Sequence, residues 1–222
     1  MHFFHYHPYR VFIPSNATRI IVGTLPPPRF TLKLLKEGDV DFCYGSCDGM
    51  LWPVVDRIFN LGLRYDNSEE AVVQRKQFLI AQNLGICDIV ASCWRSKIDS
   101  SDLGMQRIKL RDILMQLRVH RNVQGLIFTG KNSKNGPEYL FRNQLREAGM
   151  KLTRVDDTSL RRHVFDYDRR KVTTVSLISP SNAANRSIGG SKLYKKRRAQ
   201  HPGYSTFDFR VEQYRDVFLA DR

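Results

Sequence analysis

Long apolar runs are missing from this sequence. No stretch approaches the ~20 consecutive apolar residues of a membrane-spanning helix, so a spanning helix is excluded. Acidic residues are scarce against basic ones: 22 Asp and Glu stand against 36 Lys and Arg, a net charge of +14. Such a charge attracts polyanions and says nothing of the fold. Nucleic acid is the expected partner, with an anionic membrane surface the runner-up. Cysteines are few, at positions 43, 47, 87 and 93, and their C-x3-C and C-x5-C spacings are poor metal-site signals. The reading is that reduced thiols fill small core spaces, with no metal and no cofactor. The N-terminus, Met1 to Pro8, lacks a positive region followed by an apolar run, so no signal peptide is read there. The expected location is cytoplasmic and nucleoid-associated.

What is present suits one domain spanning 1–222, with 41% hydrophobic residues, enough for a substantial core. Residues 1–17 read as a surface arm or packed lead-in. His2, His5 and His7 alternate there, which suggests either a metal site or an untethered polar terminus. Arg19 to Gly23 is a short β-branched run ended by glycine, a buried strand. Pro26-Pro27-Pro28 then opens a long ordered loop to Gly49, with a helical turn near Leu32 to Lys36. Helices are expected over Met50–Leu61, stopped by Gly62, and from Ser68 to Gly85. Ile86 to Ala91 reads as a second strand, Ile108 to Leu117 as a helix, and Gly125 to Thr129 as a third strand. A helix over Glu138–Ala148 follows, then a hairpin from Arg161 to Val175 turning at Asp168-Arg169-Arg170. Val175 to Ile178 is the fourth buried strand, and Ser205-Thr206 caps a closing helix through Leu219.

Strands alternate with helices, and each strand is apolar on both faces. That predicts an α/β fold, a three-layer α/β/α arrangement with a central four-stranded, mainly parallel sheet. Ligands of such folds bind beyond the carboxyl ends of the strands, where the loops at 24–49, 88–95 and 179–186 all lie. Gly125 to Ser133 nearly matches a phosphate-binding loop, but Asn132 stands at the Ser/Thr position. The residues between its glycines are Leu-Ile-Phe-Thr, a strand that cannot cradle phosphate with converging amides.

Four segments in order carry a likeness. They are Ile21-Val22-Gly23-Thr24-Leu25-Pro26, Tyr44-Gly45-Ser46-Cys47-Asp48-Gly49-Met50-Leu51-Trp52-Pro53, Leu84 to Cys93, and Ile178-Ser179-Pro180-Ser181-Asn182. Together they resemble the uracil-DNA glycosylase superfamily, and within it the mismatch-specific and hypoxanthine-DNA glycosylase-like branch. The resemblance implies a parallel sheet between helices with DNA crossing the strand ends. It also implies a damaged base flipped into a pocket and hydrolysis of its N-glycosidic bond. The substrate implied is double-stranded DNA with a damaged or mismatched base, bound by a monomer.

The resemblance also assigns residues. Tyr44 matches the stacking aromatic, with an ordinary core tyrosine as the alternative. Backbone amides of Thr24 and Leu25 are expected to donate to a base carbonyl. Asp88 stands where relatives place a base-reading asparagine; as a carboxylate it accepts only, and pairing with an arginine is its other reading. Classical relatives carry an Asp or Asn in the first motif, which this sequence lacks; hypoxanthine-type relatives lack it too and use an asparagine of the second segment, where Gly49 stands here with Asp48 beside it. Asp48 is therefore the catalytic candidate, with Asp41 and Asp39 as substitutes and solvated loop carboxylates as the alternative. Asn182, backed by Asn185, takes the leaving-base contact that Ser179 is too weak to make, or caps the loop. Ser181 is expected to bond a DNA phosphate, and Ala183 with Arg186 to fill the hole left by the flipped base. Lys192, Lys195, Lys196, Arg197 and Arg198 follow as a phosphate clamp, extended by Arg95 and Lys97. A catalytically silent nucleic-acid-binding protein on the same scaffold is the competing expectation.

Overall fold

The computed structural model describes residues 3–155 and 160–220. In chain order the strands and helices are β1 (Phe3–Tyr6), β2 (Arg19–Val22), α1 (Pro28–Thr31), α2 (Leu51–Phe59), α3 (Glu69–Ala81), β3 (Leu84–Ile86), β4 (Val90–Arg95), β5 (Gln106–Leu110) and α4 (Ile113–Val119). They continue as β6 (Gly125–Phe128), α5 (Pro137–Glu147), β7 (Thr153–Arg154), β8 (Arg161–Tyr167), β9 (Arg170–Ser176), α6 (Asn185–Gly190), α7 (Lys192–Gln200) and α8 (Thr206–Phe218).

The runs that are apolar at successive positions become the central sheet, as two-faced burial requires. Its order is β3-β2-β6-β9-β8-β7. The first four strands are parallel, and the β8–β9 hairpin adds an antiparallel edge. The expected four-stranded parallel sheet is thus present inside a six-stranded one. Alternation sends Ile20, Val22, Leu126 and Phe128 to one face, against α4 and α5. Ile21, Ile127 and Val175 go to the other, against α2, α3 and α8. The three layers follow from that division. Buried Glu138 of α5 fastens the hairpin: Arg161, Arg142 and Ser176 all donate to its carboxylate.

Several boundaries differ from expectation. The 86–91 run is two strands, because the chain leaves the main sheet after Ile86 and enters a second sheet at Val90. That second sheet, β1-β4-β5, is antiparallel and takes in the supposed N-terminal arm. Its pairing claims Gln106–Leu110, so the expected 108–117 helix begins only at Ile113, where Asp112 caps it by accepting from the Met115 amide. The helical turn expected at 32–36 forms instead at Pro28–Thr31, with Pro28 in the first turn where its missing N–H costs nothing. α2 ends at Asn60 in the left-handed conformation rather than at Gly62, and Gly85 lies inside β3 rather than ending α3. Ser68 and Ser205 cap α3 and α8 through side-chain bonds, the latter a reciprocal capping box with Asp208. Cys43, Cys87 and Cys93 are buried in the core as expected, but Cys47 is exposed.

His2 lies outside the described residues. His5 and His7 are not untethered. His5 accepts from Arg95 at 2.8 Å, and burial beside that guanidinium lowers its pKa to about 3.

Candidate active site

At the carboxyl ends of β2, β6 and β9 lies a cleft of about 1280 Å³. Its floor is the turn after β2. Parallel pairing runs past the strand ends there: Cys87 N–H donates to Ile21 O, Ile89 N–H to Gly23 O, and Val90 N–H to Thr24 O. These bonds clamp the 23–25 turn against the crossover between the two sheets, and Asp88 sits in that crossover. Among the described residues no acceptor takes the amides of Thr24 and Leu25, and both residues line the cleft.

Asp88 is 4% exposed. Its Oδ2 is 2.8 Å from His7 Nε2, so its partner is a histidine from the N-terminal segment and not an arginine. His7 Nδ1 is 3.1 Å from both the amide and the carbonyl oxygen of Tyr9, and because a carboxylate only accepts, Nε2 is the atom that donates to Asp88. Asp88 Oδ1 is buried and unpartnered. It presses on Gly23 together with the Tyr44 hydroxyl: a Cβ there would stand 1.9 Å from Tyr44 Oη and 2.6 Å from Asp88 Oδ1. Glycine is the residue that lets both groups reach the turn.

Tyr44 is half-buried in the cleft wall, in left-handed conformation at φ 57°. Its hydroxyl is 2.8 Å from Thr129 Oγ1, at the end of β6. Burial, with Asp88 nearby, raises its phenol well above the ordinary range, so it stays neutral. The adjoining turn is held by Trp52, whose indole donates to Cys43 O at 2.8 Å.

The 179–186 and 24–49 loops both lie at the strand ends, and they are bonded to each other at the 48–50 end of the second. The Ser179–Asn182 loop is bonded to the 48–50 segment: Gly49 and Ser181 form an antiparallel bridge, Met50 N–H donates to Pro180 O, and Asn182 Nδ2 reaches Asp48 O at 3.4 Å. Beneath it is Arg210 of α8, 1% exposed, donating to Ser179 O and Ser181 O. No carboxylate pairs with Arg210 among the described residues; backbone carbonyls take its bonds, those two and Thr206 O at 3.3 Å.

Asp48 is on the cleft rim. Its side chain is 56% exposed, 3.1 Å from Arg29 and 3.4 Å from Lys36. Of its substitutes, Asp39 is buried, bound by both arms of Arg29 and by the amides of Lys36 and Cys47; against desolvation, these donors lower its pKa. Asp41 accepts from the Tyr9 hydroxyl at 2.6 Å. Both are tied into the scaffold.

The carboxylate missing from the first loop is supplied by another. The 96–104 segment leaving β4 folds back over the cleft, and Thr24 Oγ1 donates to Asp102 Oδ1 at 2.9 Å. Asp102 is half-buried and lines the cleft. Desolvation, reinforced by Asp88, pushes its pKa up to about 6 against the Thr24 bond and Arg95. Asn135 holds the segment through Asp102 O at 2.9 Å. Asp102 was missed because only a polar run, Asp99 to Asp102, marked it.

The basic stretch is helical. On α7, Leu193 and Arg197, four apart, line the cleft; Lys192, Lys195, Lys196 and Arg198 are exposed around the rest of the helix. Arg197 is 3.7 Å from Glu212. Tyr194 and Ile188 pack on Phe209, which seats α6 and α7 on α8. Ala183 lies exposed in the cleft wall, Arg186 is exposed on α6, and Asn185 is half-buried there. Arg95 does not extend the clamp: it is 1% exposed, bonded to His5 and Ser101 O. Gly130 and Lys131 form the turn after β6, as the strand reading required, and both line the cleft. Among the described residues no group of three metal-ligating side chains converges.

With this geometry in place the chain compares with a solved structure, the solution NMR structure of a candidate uracil DNA glycosylase from Methanosarcina acetivorans. The two share 18% identity and a TM-score of 0.51, over 96% of this chain and 99% of that one. The fold is uracil-DNA-glycosylase-like. No protein-family model matches the sequence, and the search of curated proteins gave no match. In this fold the cleft described above occupies the strand ends, where the sequence segments 21–26, 44–53, 84–93 and 178–182 meet.

Proposed function

We propose that the chain is a monofunctional DNA glycosylase that removes a deaminated base, hypoxanthine or uracil, from duplex DNA. One observation carries the reading. An unpartnered acceptor, Asp88 Oδ1, lies against the same turn as the unclaimed donor amides of Thr24 and Leu25. Deamination converts the H2N–C=N edge of adenine or cytosine into O=C–N–H. A carboxylate beside amide donors complements the second edge and opposes the first, because acceptor then meets N–H and donor meets C=O. His7 fixes the other Asp88 oxygen and so aims Oδ1.

Tyr44, neutral and anchored by Thr129, supplies the ring face for the extruded base. Asp102 takes the water-activating role. The water oxygen bonds to C1′ as its proton passes to the Asp102 carboxylate, and the C1′–N bond breaks with its electron pair leaving on the base. Donors at the turn and Asn182 offset that charge. Asp48, paired with Arg29 and Lys36, belongs to the rim beside Asn182 in this reading. Ser179, Ser181, Ala183 and Arg186 meet the strand and the vacated stack, and α7 attracts the phosphates.

The second reading is a catalytically silent duplex-binding protein. It is favoured by the first loop, Thr24 to Pro27, which carries no carboxylate of its own. An alkali-dependent nick in a duplex containing uracil or hypoxanthine distinguishes the two. A salt-sensitive complex with no nick supports the second.

A further inference from the structure

The cleft uses one face of the molecule, and the small antiparallel sheet presents another. On β1 and β4 the side chains alternate. His5, Cys93 and Arg95 point inward, while Phe4, Tyr6 and Trp94 point outward. The outward rings are unusually open for such large apolar groups: Phe4 and Tyr6 are each 46% exposed and Trp94 37%. They form one surface. Phe4 lies directly across from Trp94, their ring centroids 5.1 Å apart, and Phe4 and Tyr6 are 6.2 Å apart.

The third strand adds charge. Lys109 stands across from Ser92 on β5, and Gln106 across from Trp94. Lys97, Arg107 and Lys109 are exposed, and no carboxylate pairs with any of them among the described residues. An apolar protein partner would gain from the rings but nothing from three unpaired cations. A polyanion with aromatic faces gains from both. Exposed rings on a sheet, bordered by cations, are the arrangement that single-stranded nucleic acid requires: bases stack on the rings and phosphates meet the cations. Duplex DNA cannot use the rings, because its bases are already stacked.

We infer that Phe4, Tyr6 and Trp94, with Lys109 across from Ser92 on the same face and the exposed cations Lys97 and Arg107 nearby along β4 and β5, form a binding site for single-stranded nucleic acid, separate from the cleft. None of these residues lines the cleft, although β4 leads into the segment whose Ser100, Ser101 and Asp102 do. The site stands on the sheet surface alone and does not depend on base excision.

The chain has two tryptophans, and Trp52 is 1% exposed, so quenching of emission by an added strand reports Trp94. The experiment titrates the full chain at low salt with a 12-nucleotide oligo(dT), with a duplex of equal length, and with poly-glutamate. Oligo(dT) is expected to quench the emission, and duplex and poly-glutamate are expected not to. The exposed Phe4→Ala/Tyr6→Ala variant should bind oligo(dT) about 5- to 160-fold more weakly per ring lost. Lys109→Gln, a surface change that leaves the sheet pairing intact, should reduce the slope of log affinity against log salt by about 0.7. An unquenched emission, unchanged affinity in the aromatic variant, or equal quenching by poly-glutamate overturns the site. Excision assays on duplex substrates are run in parallel, so that failure of this site and failure of the glycosylase reading are told apart.

Discussion

Thr24 and Asp102 lie 78 residues apart and are joined by a hydrogen bond of 2.9 Å. The bond carries a carboxylate from the loop after β4 to the turn after β2, where the sequence itself offers none. Two substitutions follow from it. Asp102→Asn keeps an acceptor for Thr24 but cannot take a proton, and should lower the excision rate by roughly 10²–10⁴-fold. Asp48→Asn, on an exposed and ion-paired side chain, should change it by less than about tenfold. Single-turnover rates on one lesion duplex decide between the two carboxylates.

The pH profile should carry the same signature. Asp102 has its pKa raised to about 6, so the carboxylate form needed to accept a proton is lost below that value. The excision rate should rise with pH through about 6 and level off above it. In Asp102→Asn that limb should be gone, whatever residual rate remains.

Stability should move the opposite way. A carboxyl whose folded pKa lies above its ordinary 3.8 binds its proton more tightly when folded. Its contribution is complete below about 3.8 and is lost as pH rises through about 6. Asp102→Asn should therefore be more stable than the parent at pH 7.5, by roughly 1–2 kcal/mol after discounting partial exposure. The difference should shrink toward pH 4. Urea denaturation at both pH values measures it.

Gly23→Ala tests the base-reading corner. The added methyl would meet Tyr44 Oη and Asp88 Oδ1, neither of which is the end of a freely swinging chain. We expect a destabilisation of about 1–3 kcal/mol and loss of base excision, with duplex affinity kept within a few-fold because the phosphate-facing residues are untouched.

Arg210→Met tests the second loop. It removes the donors that hold Ser179 O and Ser181 O while preserving much of the side-chain volume. Amides of Ser179 and of residues 181–184 should exchange faster with solvent, and duplex affinity should fall. Unchanged exchange would show that the bridge between Gly49 and Ser181 suffices to hold the loop.

The central sheet was legible because its strands are apolar at successive positions and are punctuated by Gly23, Gly125 and the Ser179-Pro180 turn. Periodicity reports burial, so it also gave α2, α3, α5 and α8 to within a few residues. It failed where tertiary pairing chose between two local options. Gln106–Leu110 pairs with β4 although its spacing also suits a helix, and the 86–91 run divides because no local signal marks a change of sheet. The cleft was half legible. Thr24, Leu25, Tyr44, Asp88 and Asn182 are brought together at one cleft, as expected. Asp102 and Thr129 reach it from segments far away in sequence, and His7 acts on it through Asp88; a polar residue in a loop does not announce which turn it will meet. The five-residue basic run looks like one clamp in sequence, but helix geometry turns only Arg197 of those cations into the cleft.

The most direct test is an alkali-dependent nicking assay. Labelled duplexes carry uracil, hypoxanthine, xanthine or mismatched thymine opposite each of the four bases, and are incubated with the parent chain and with Asp102→Asn. A nick that requires alkali, confined to uracil or hypoxanthine and lost in Asp102→Asn, is the predicted result. If no lesion is cut while salt-sensitive duplex binding persists, the cleft binds DNA without cleaving it, and the glycosylase reading is contradicted.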